Sequence, residues 1–243
     1  MASFTEDNAQ TRTYPGRPAP PRDDVLWRRR EIVGGFLWLS VVQYFVMMVV
    51  VQAAWTTPYS IVRHAISDLG AVNCAVFEGR DVCSPWHVAS NVSWTLTGLS
   101  IFLGAVLLWR PLARDAAGRL GLVILMVAGV GEFLVGLNPQ DTSTLHIPAA
   151  LIAILGGQAA IMFLGVSLAR RSTWRGLGLL GVAFSLTGLT SSTVLLIVGL
   201  NEFFGLLERI AAYPILIWIV LAGTSVLRRA LSRKRYLPAL RSV

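Results

Sequence analysis

Long apolar stretches alternate with short polar ones along the chain. Six stretches, at roughly 32–54, 87–109, 118–137, 146–168, 177–199 and 210–227, hold few charged side chains. Each is near the length of about 20 residues that a helix needs to cross a bilayer. The pattern predicts an all-α polytopic membrane protein, with six transmembrane helices in one bundle over 32–228. Short connections keep consecutive spans adjacent, so the six form one domain. Residues 1–31 carry Pro15, Pro18, Pro20 and Pro21 without an apolar period, and read as a disordered tail. Residues 229–243 read as a second, basic tail. The first apolar run is long and begins after residue 31, which suits a signal-anchor better than a cleavable signal peptide.

Composition sharpens this picture. Of 243 residues, 54% are hydrophobic and 14% charged, against about 25% charged in a soluble domain. The net charge of +8 raises the question of a nucleic-acid partner, and its placement answers it. Arg12, Arg17, Arg22, Arg28, Arg29 and Arg30 precede the first span. Arg110, Arg114 and Arg119 flank the second connection, and Arg170, Arg171 and Arg175 fill the fourth. Arg228, Arg229, Arg233, Lys234, Arg235 and Arg241 follow the sixth. Only Arg63, Arg80 and Arg209 fall on the other side. By the positive-inside rule both termini are cytoplasmic. The expected partner is membrane lipid, not nucleic acid. Twenty arginines against one lysine hint at a high-GC bacterium, and so at a multi-pass protein of a bacterial plasma membrane.

Candidate chemistry gathers on the side away from the basic tails. The first outer loop, about 55–86, is the longest connection, and loops of that length are usually functional or disordered. Its apolar content argues for order. It contains the octet Arg63-His64-Ala65-Ile66-Ser67-Asp68-Leu69-Gly70. If 59–70 is helical, His64 and Asp68 share a face, as do Arg63 and Ser67. Cys74 and Cys83 follow, and an oxidising compartment permits a disulfide between them.

The remaining outer-side candidates lie at helix ends. They are His87, Asn138, Asp141, His146, Asn201, Glu208 and Arg209. Glu132 is the one carboxylate placed within a span, about 9 Å below the outer end at the helical rise. An ionisable group at that depth is a functional hypothesis by default. Val135-Gly136-Leu137-Asn138 recurs as Val198-Gly199-Leu200-Asn201. The two outer turns should therefore look alike, each with its Asn capping or turning a helix end. Within the spans, Gln43 reads as a helix–helix hydrogen bond. The glycines of the third span read as close packing.

Several readings of this outer face are open. The three histidines sit on separate elements without ligand spacing, so no metal and no cofactor is expected. Acid–base catalysis on a lipid headgroup would use His64, Ser67, Asp68 and His146, with Arg209 on a phosphate. A lipid-binding or membrane-organising role would use Glu132, Asn138, Asp141, Asn201, Glu208 and Arg209 as walls of an outer-leaflet site for a lipid-like ligand. A proton-coupled transporter would use Glu132 and needs a polar route through the inner half. In the purely structural alternative, Glu208-Arg209 pairs with Asp68 or His64 and ties the outer ends together. The sharpest expectation is a contact between Asp68 and either Arg209 or His146.

Ile66-Ser67-Asp68-Leu69-Gly70, followed by Asn138-Pro139, His146 and Glu208-Arg209 at helix ends, resembles a prokaryotic six-span family catalogued as domain of unknown function 998. The likeness covers about 30–230. That family is in turn similar to the Frag1/DRAM/Sfk1 group of six-span proteins, linked to lipid handling. The resemblance implies the fold and topology, and carries no catalytic role.

Overall fold

A computed structural model of the chain describes residues 22–235. Its helices are α1 (Arg22–Ser40), α2 (Val42–Ala53), α3 (His87–Leu107), α4 (Trp109–Leu112), α5 (Ala116–Leu137), α6 (His146–Ala169), α7 (Arg175–Val198) and α8 (Phe204–Arg235). Six helical stretches are long and apolar enough to cross a membrane, α1 and α2 together forming the first. Helices suit that solvent because every backbone N–H and C=O is satisfied inside the segment. α1 and α2 pack on α3, α3 on α5, α5 on α6, α6 on α7, α7 on α8, and α8 back on α1. The six spans thus close a ring in chain order.

Small residues set the spacing of this ring. A Cβ built on Gly131 would lie 2.8 Å from the Ala153 amide nitrogen and 2.9 Å from the Ala149 carbonyl oxygen, so α5 and α6 touch through backbone. Two buried tryptophans fill the opposite side. Trp38 donates from its indole to the Ile101 carbonyl (3.2 Å), and Trp218 to the Leu177 carbonyl (3.0 Å). Gln43 donates to the Ser93 carbonyl and Thr97 hydroxyl and accepts from the Ser93 hydroxyl, the interhelical bond expected of it.

Both ends of the described chain lie on one face, where Arg28 donates to the Ala230 carbonyl (2.9 Å). This basic face is tied by Arg171, which donates to the Pro111 and Leu112 carbonyls at the end of α4. Asp115 caps α5 by accepting the Gly118 N–H (2.7 Å) and the Ser167 hydroxyl (2.7 Å). The opposite face carries the long loop, with a 3-10 turn at Ser67–Gly70 and the antiparallel hairpin β1 (Ala75–Phe77) and β2 (Arg80–Val82).

Four expectations are corrected. Helix begins at Arg22, so 22–31 is not a disordered tail, while 1–21 and 236–243 lie outside the described residues. α8 runs on through the basic segment to Arg235. Residues 59–70 are not one helix but successive turns ending in the 3-10 turn, because the segment is anchored by contacts at several points along its length. The two Val-Gly-Leu-Asn turns differ as well. α5 continues to Leu137 and its amide-capped end is Asn138, whereas α7 stops at Val198 with Gly199 at φ +60°. Gly136 has no such freedom to use, since it is buried inside α5 against α3.

Candidate functional site

Asp68 is completely buried, and its carboxylate is saturated. One oxygen accepts the Ala65 N–H (2.8 Å) and Arg80 Nε (2.8 Å). The other accepts Arg80 Nη2 (3.1 Å) and Gln140 Nε2 (2.7 Å). Arg80 reaches Asp68 because of the hairpin. The turn residues Glu78 and Gly79 both have positive φ, the signature of a two-residue hairpin turn. The Cys74–Cys83 disulfide closes the strands, as the outer-loop cysteines suggested. Burial disfavours the Arg80 charge, but the hydrogen bond and negative charge of Asp68 outweigh it and raise the pKa above the usual arginine value.

The expected contact of Asp68 with Arg209 or His146 is thus replaced by Arg80 and Gln140. Arg80 was one of only three basic residues on this side of the chain, and its place between two cysteines was the available signal. Pairing it with Asp68 needs the hairpin register, which the sequence does not show.

Arg209 and Glu208 are neighbours on α8 with separate tasks. Arg209 is buried and donates from Nη1 to the carbonyls of Ile61 (3.0 Å), His64 (2.8 Å) and Gly205 (2.8 Å). Its Nη2 donates to the Tyr59 hydroxyl. Glu208 accepts the Ile66 N–H. Together they dock the octet on α8 through its backbone, in place of the pairing with the Asp68 or His64 side chain that the structural alternative expected. Gly205 permits this, because a side chain there would collide with the His64 carbonyl. His64 is held too. Its Nδ1 accepts the Ser60 N–H (2.9 Å), its Nε2 faces the Asp81 carbonyl (3.3 Å), and Tyr59 stacks on it at 5.0 Å.

A cavity of about 320 Å³ lies between α6, α7, α8 and the long loop. Most of its wall is hydrocarbon, from Ile147, Leu151, Ile154, Leu155, Leu195, Leu196, Leu200 and Phe204 among others. Ile147, Leu151 and Leu196 are also exposed on the bundle's outer surface, so the cavity is a groove open sideways. Its loop-face end is polar, with Ser67, Glu78, Gln140, His146 and Glu208. His146 is 5% exposed. Its Nδ1 is hydrogen-bonded to the Asn138 carbonyl (2.7 Å), and its Nε2 has no partner among the described residues.

Deeper in, a chamber of about 40 Å³ is bordered by the same Ser67, His146 and Glu208 and adds Tyr44, Trp94 and Glu132. A further pocket of about 30 Å³ adjoins Glu132 and Tyr44, with its other walls hydrocarbon, including Ile101, Leu125, Ile215 and Leu216. No hydrogen-bond donor among the described residues reaches the Glu132 carboxyl. An interior space therefore meets Glu132, as transport would require, and past Glu132 its walls at Ile101, Leu125, Ile215 and Leu216 are hydrocarbon.

The candidates divide accordingly. Ser67, Glu132, His146 and Glu208 meet around connected space. His64, Asp68 and Arg209 do not line it, so the acid–base set proposed from sequence does not converge, and Arg209 is spent on carbonyls rather than free for a phosphate. Asn138 closes the α5 end, its amide donating to the Leu134 carbonyl and accepting from Ser143. Asn201 turns the chain before α8 by bonding Gly199 and Phe203. Asp141 accepts the N–H groups of Val72 and Asn73 and the Asn73 amide, fastening its turn to the long loop. Partial burial pushes the Asp141 carboxyl up, but these donors prevail and hold it below the usual carboxylate range. Among the described residues no group of His, Cys, Asp and Glu is arranged to hold a metal.

No curated protein and no solved structure matches the chain. A sequence profile of the family described as Protein of unknown function (DUF998) matches residues 32–225, from the first span into the sixth. With the octet, the Asn138-Pro139 turn, His146 and Glu208-Arg209 all inside that stretch, the chain belongs to the DUF998 family.

Proposed function

We propose that this protein binds one lipid or lipid-like amphiphile in the groove between α6, α7 and α8. The carrying observation is that a single cavity joins a long hydrocarbon wall to a polar end where a buried His146 keeps an unpartnered ring nitrogen. Its volume lies in the range of small-molecule sites, about 300–1,000 Å³, and its rim faces where acyl chains run. On this reading the tail lies along Leu151, Leu155 and Leu195, and the head sits against Ser67, His146 and Glu208. The arginine distribution supports a bacterial plasma membrane with both termini in the cytoplasm, which puts the head in the outer leaflet.

The test is native mass spectrometry of the full chain released from detergent. Wild type retains one amphiphile, and Ala150→Phe, which fills the junction of groove and chamber, loses it. Equal retention in both would overturn the reading.

One observation favours a second reading, catalysis on the bound head. The Asn138 carbonyl fixes the His146 tautomer, which leaves Nε2 as a base lining the same space as Ser67. Turnover of a co-purified lipid, lost in both His146→Gln and Ser67→Ala with binding retained, would establish it. Binding without turnover would exclude it.

A further inference from the structure

The polar end of the groove has a definite sign. Among the described residues three arginines stand on the loop face of the bundle, and each has partners outside the groove. Arg63 is exposed and pairs with Glu202 (3.2 Å). Arg80 is locked on Asp68 and also bonds Glu78 (3.2 Å). Arg209 spends its terminal nitrogens on carbonyls and the Tyr59 hydroxyl. None of the three lines the groove or the chamber below it.

The groups that do line them turn acceptors inward. His146 uses Nδ1–H on the Asn138 carbonyl, and Nε2 remains with its lone pair. Gln140 uses one amide N–H on Asp68, which leaves its carbonyl oxygen as an acceptor and a second N–H as a donor. Glu208 and Glu132 add carboxyls on two sides of the shared chamber, and only one Glu208 oxygen is engaged, by the Ile66 N–H. The serine hydroxyl of Ser67 suits either role.

We infer that the head recognised here is a protonated primary amine. An ammonium carries three donors, no acceptor and one positive charge, and matches a site of acceptors and carboxyls whose lining holds no arginine or lysine, although Arg209 and Arg80 act on Glu208 through space. A phosphate or carboxylate head would meet two carboxyls and no cationic partner in the lining, which disfavours it relative to a cation. The inference rests on the reading of the groove as an amphiphile site. The same ammonium chemistry is found on an amine-headed lipid and on a small free amine.

The test titrates the full chain in neutral detergent with dodecylamine, dodecanol and dodecyl phosphate, following bound species by native mass spectrometry. Ala150→Phe serves as the background for non-specific uptake. The expected result is dodecylamine binding tighter than dodecyl phosphate by at least about tenfold, the scale of one charge-assisted hydrogen bond. Glu208→Gln and Glu132→Gln should each shrink the advantage of the amine over dodecanol, while dodecanol binding persists and reports an intact groove. Equal or tighter binding of the phosphate, or an amine advantage untouched in both variants, overturns the inference and leaves the amphiphile site standing. If none of the three probes is sensitive to Ala150→Phe, the site itself falls and the inference with it. Competition by ethanolamine, dependent on Glu208, would assign the chemistry to a free amine. Its failure to compete while dodecylamine binds would assign it to a lipid head.

Discussion

Arg80 meets Asp68 at two points, Nε at 2.8 Å and Nη2 at 3.1 Å, with the Asp68 side chain wholly buried and Arg80 8% exposed. The Asp68 carboxylate of the octet therefore faces inward, away from solvent. The octet is a folded plug whose carboxylate is consumed in holding the hairpin, the turn at Gln140 and its own backbone together. Its neighbour Ser67 is the residue left at the cavity.

Removing one charge of this pair strands the other. Asp68→Asn leaves the Arg80 guanidinium buried with only Glu78 as a charged partner, and should cost about 3–5 kcal/mol. Thermal unfolding in detergent would show it as a lower midpoint or loss of folded protein. The double variant Asp68→Asn, Arg80→Met should recover part of the loss, since no buried cation is then stranded and Glu78, which loses its Arg80 partner, is 36% exposed to solvent.

The disulfide shapes the same pair from a distance. It closes a loop with a sequence separation of 9. Chain-entropy reasoning gives about 2–3 kcal/mol for a loop of this size. Cys74→Ser with Cys83→Ser should lower the unfolding midpoint by a corresponding amount, and a reductant should do the same to wild type but not to the variant.

Asp141 should give the acid side of the stability curve a specific component. Its folded carboxyl titrates below the ordinary carboxylate range, so the unfolded chain binds its proton at higher pH than the folded one. Its contribution is complete above the unfolded value and is lost as pH falls through the folded value. Melting curves of wild type and Asp141→Asn should therefore converge as the solution is acidified and separate toward neutrality, with wild type the more stable.

Gly131 tests the ring of spans. Any side chain there meets Ala149 and Ala153 backbone at 2.8–2.9 Å, and backbone cannot swing aside as a rotamer does. Gly131→Val should separate α5 from α6 and reduce the yield of folded protein. Gly176, with open space around its Cβ position, should accept alanine without loss.

The spans themselves were legible, because an uninterrupted apolar run of about 20 residues suits a bilayer and little else. The expected start of the second, third and fourth spans falls within two residues of the observed helix in each case. Which side of each span faces the ring was not legible. In lipid both the packed and the exposed faces are apolar, so the amphipathic period that orients a soluble helix is nearly absent. That is why His146, Ser67 and Glu208 could be placed on one face of the membrane but not around one groove. Arg80 was hidden for a different reason. Its partner is twelve residues away through a hairpin whose register depends on the Glu78-Gly79 turn. The Asn138 and Asn201 turns misled because four identical residues sit at different positions relative to their helix ends, Leu137 in one and Val198 in the other.

Photolabelling asks directly whether the groove between α6, α7 and α8 holds an amphiphile. A lipid carrying a diazirine in its acyl chain would be irradiated with the full chain in nanodiscs, and the adducts mapped by peptide sequencing. An occupied groove gives labels concentrated within 147–155 of α6 and within 192–200, the end of α7 and the turn after it, and their loss in Ala150→Phe. Labels spread evenly over the exposed faces of α1, α2, α3 and α5, and unchanged by Ala150→Phe, would show that the groove is not where the lipid sits.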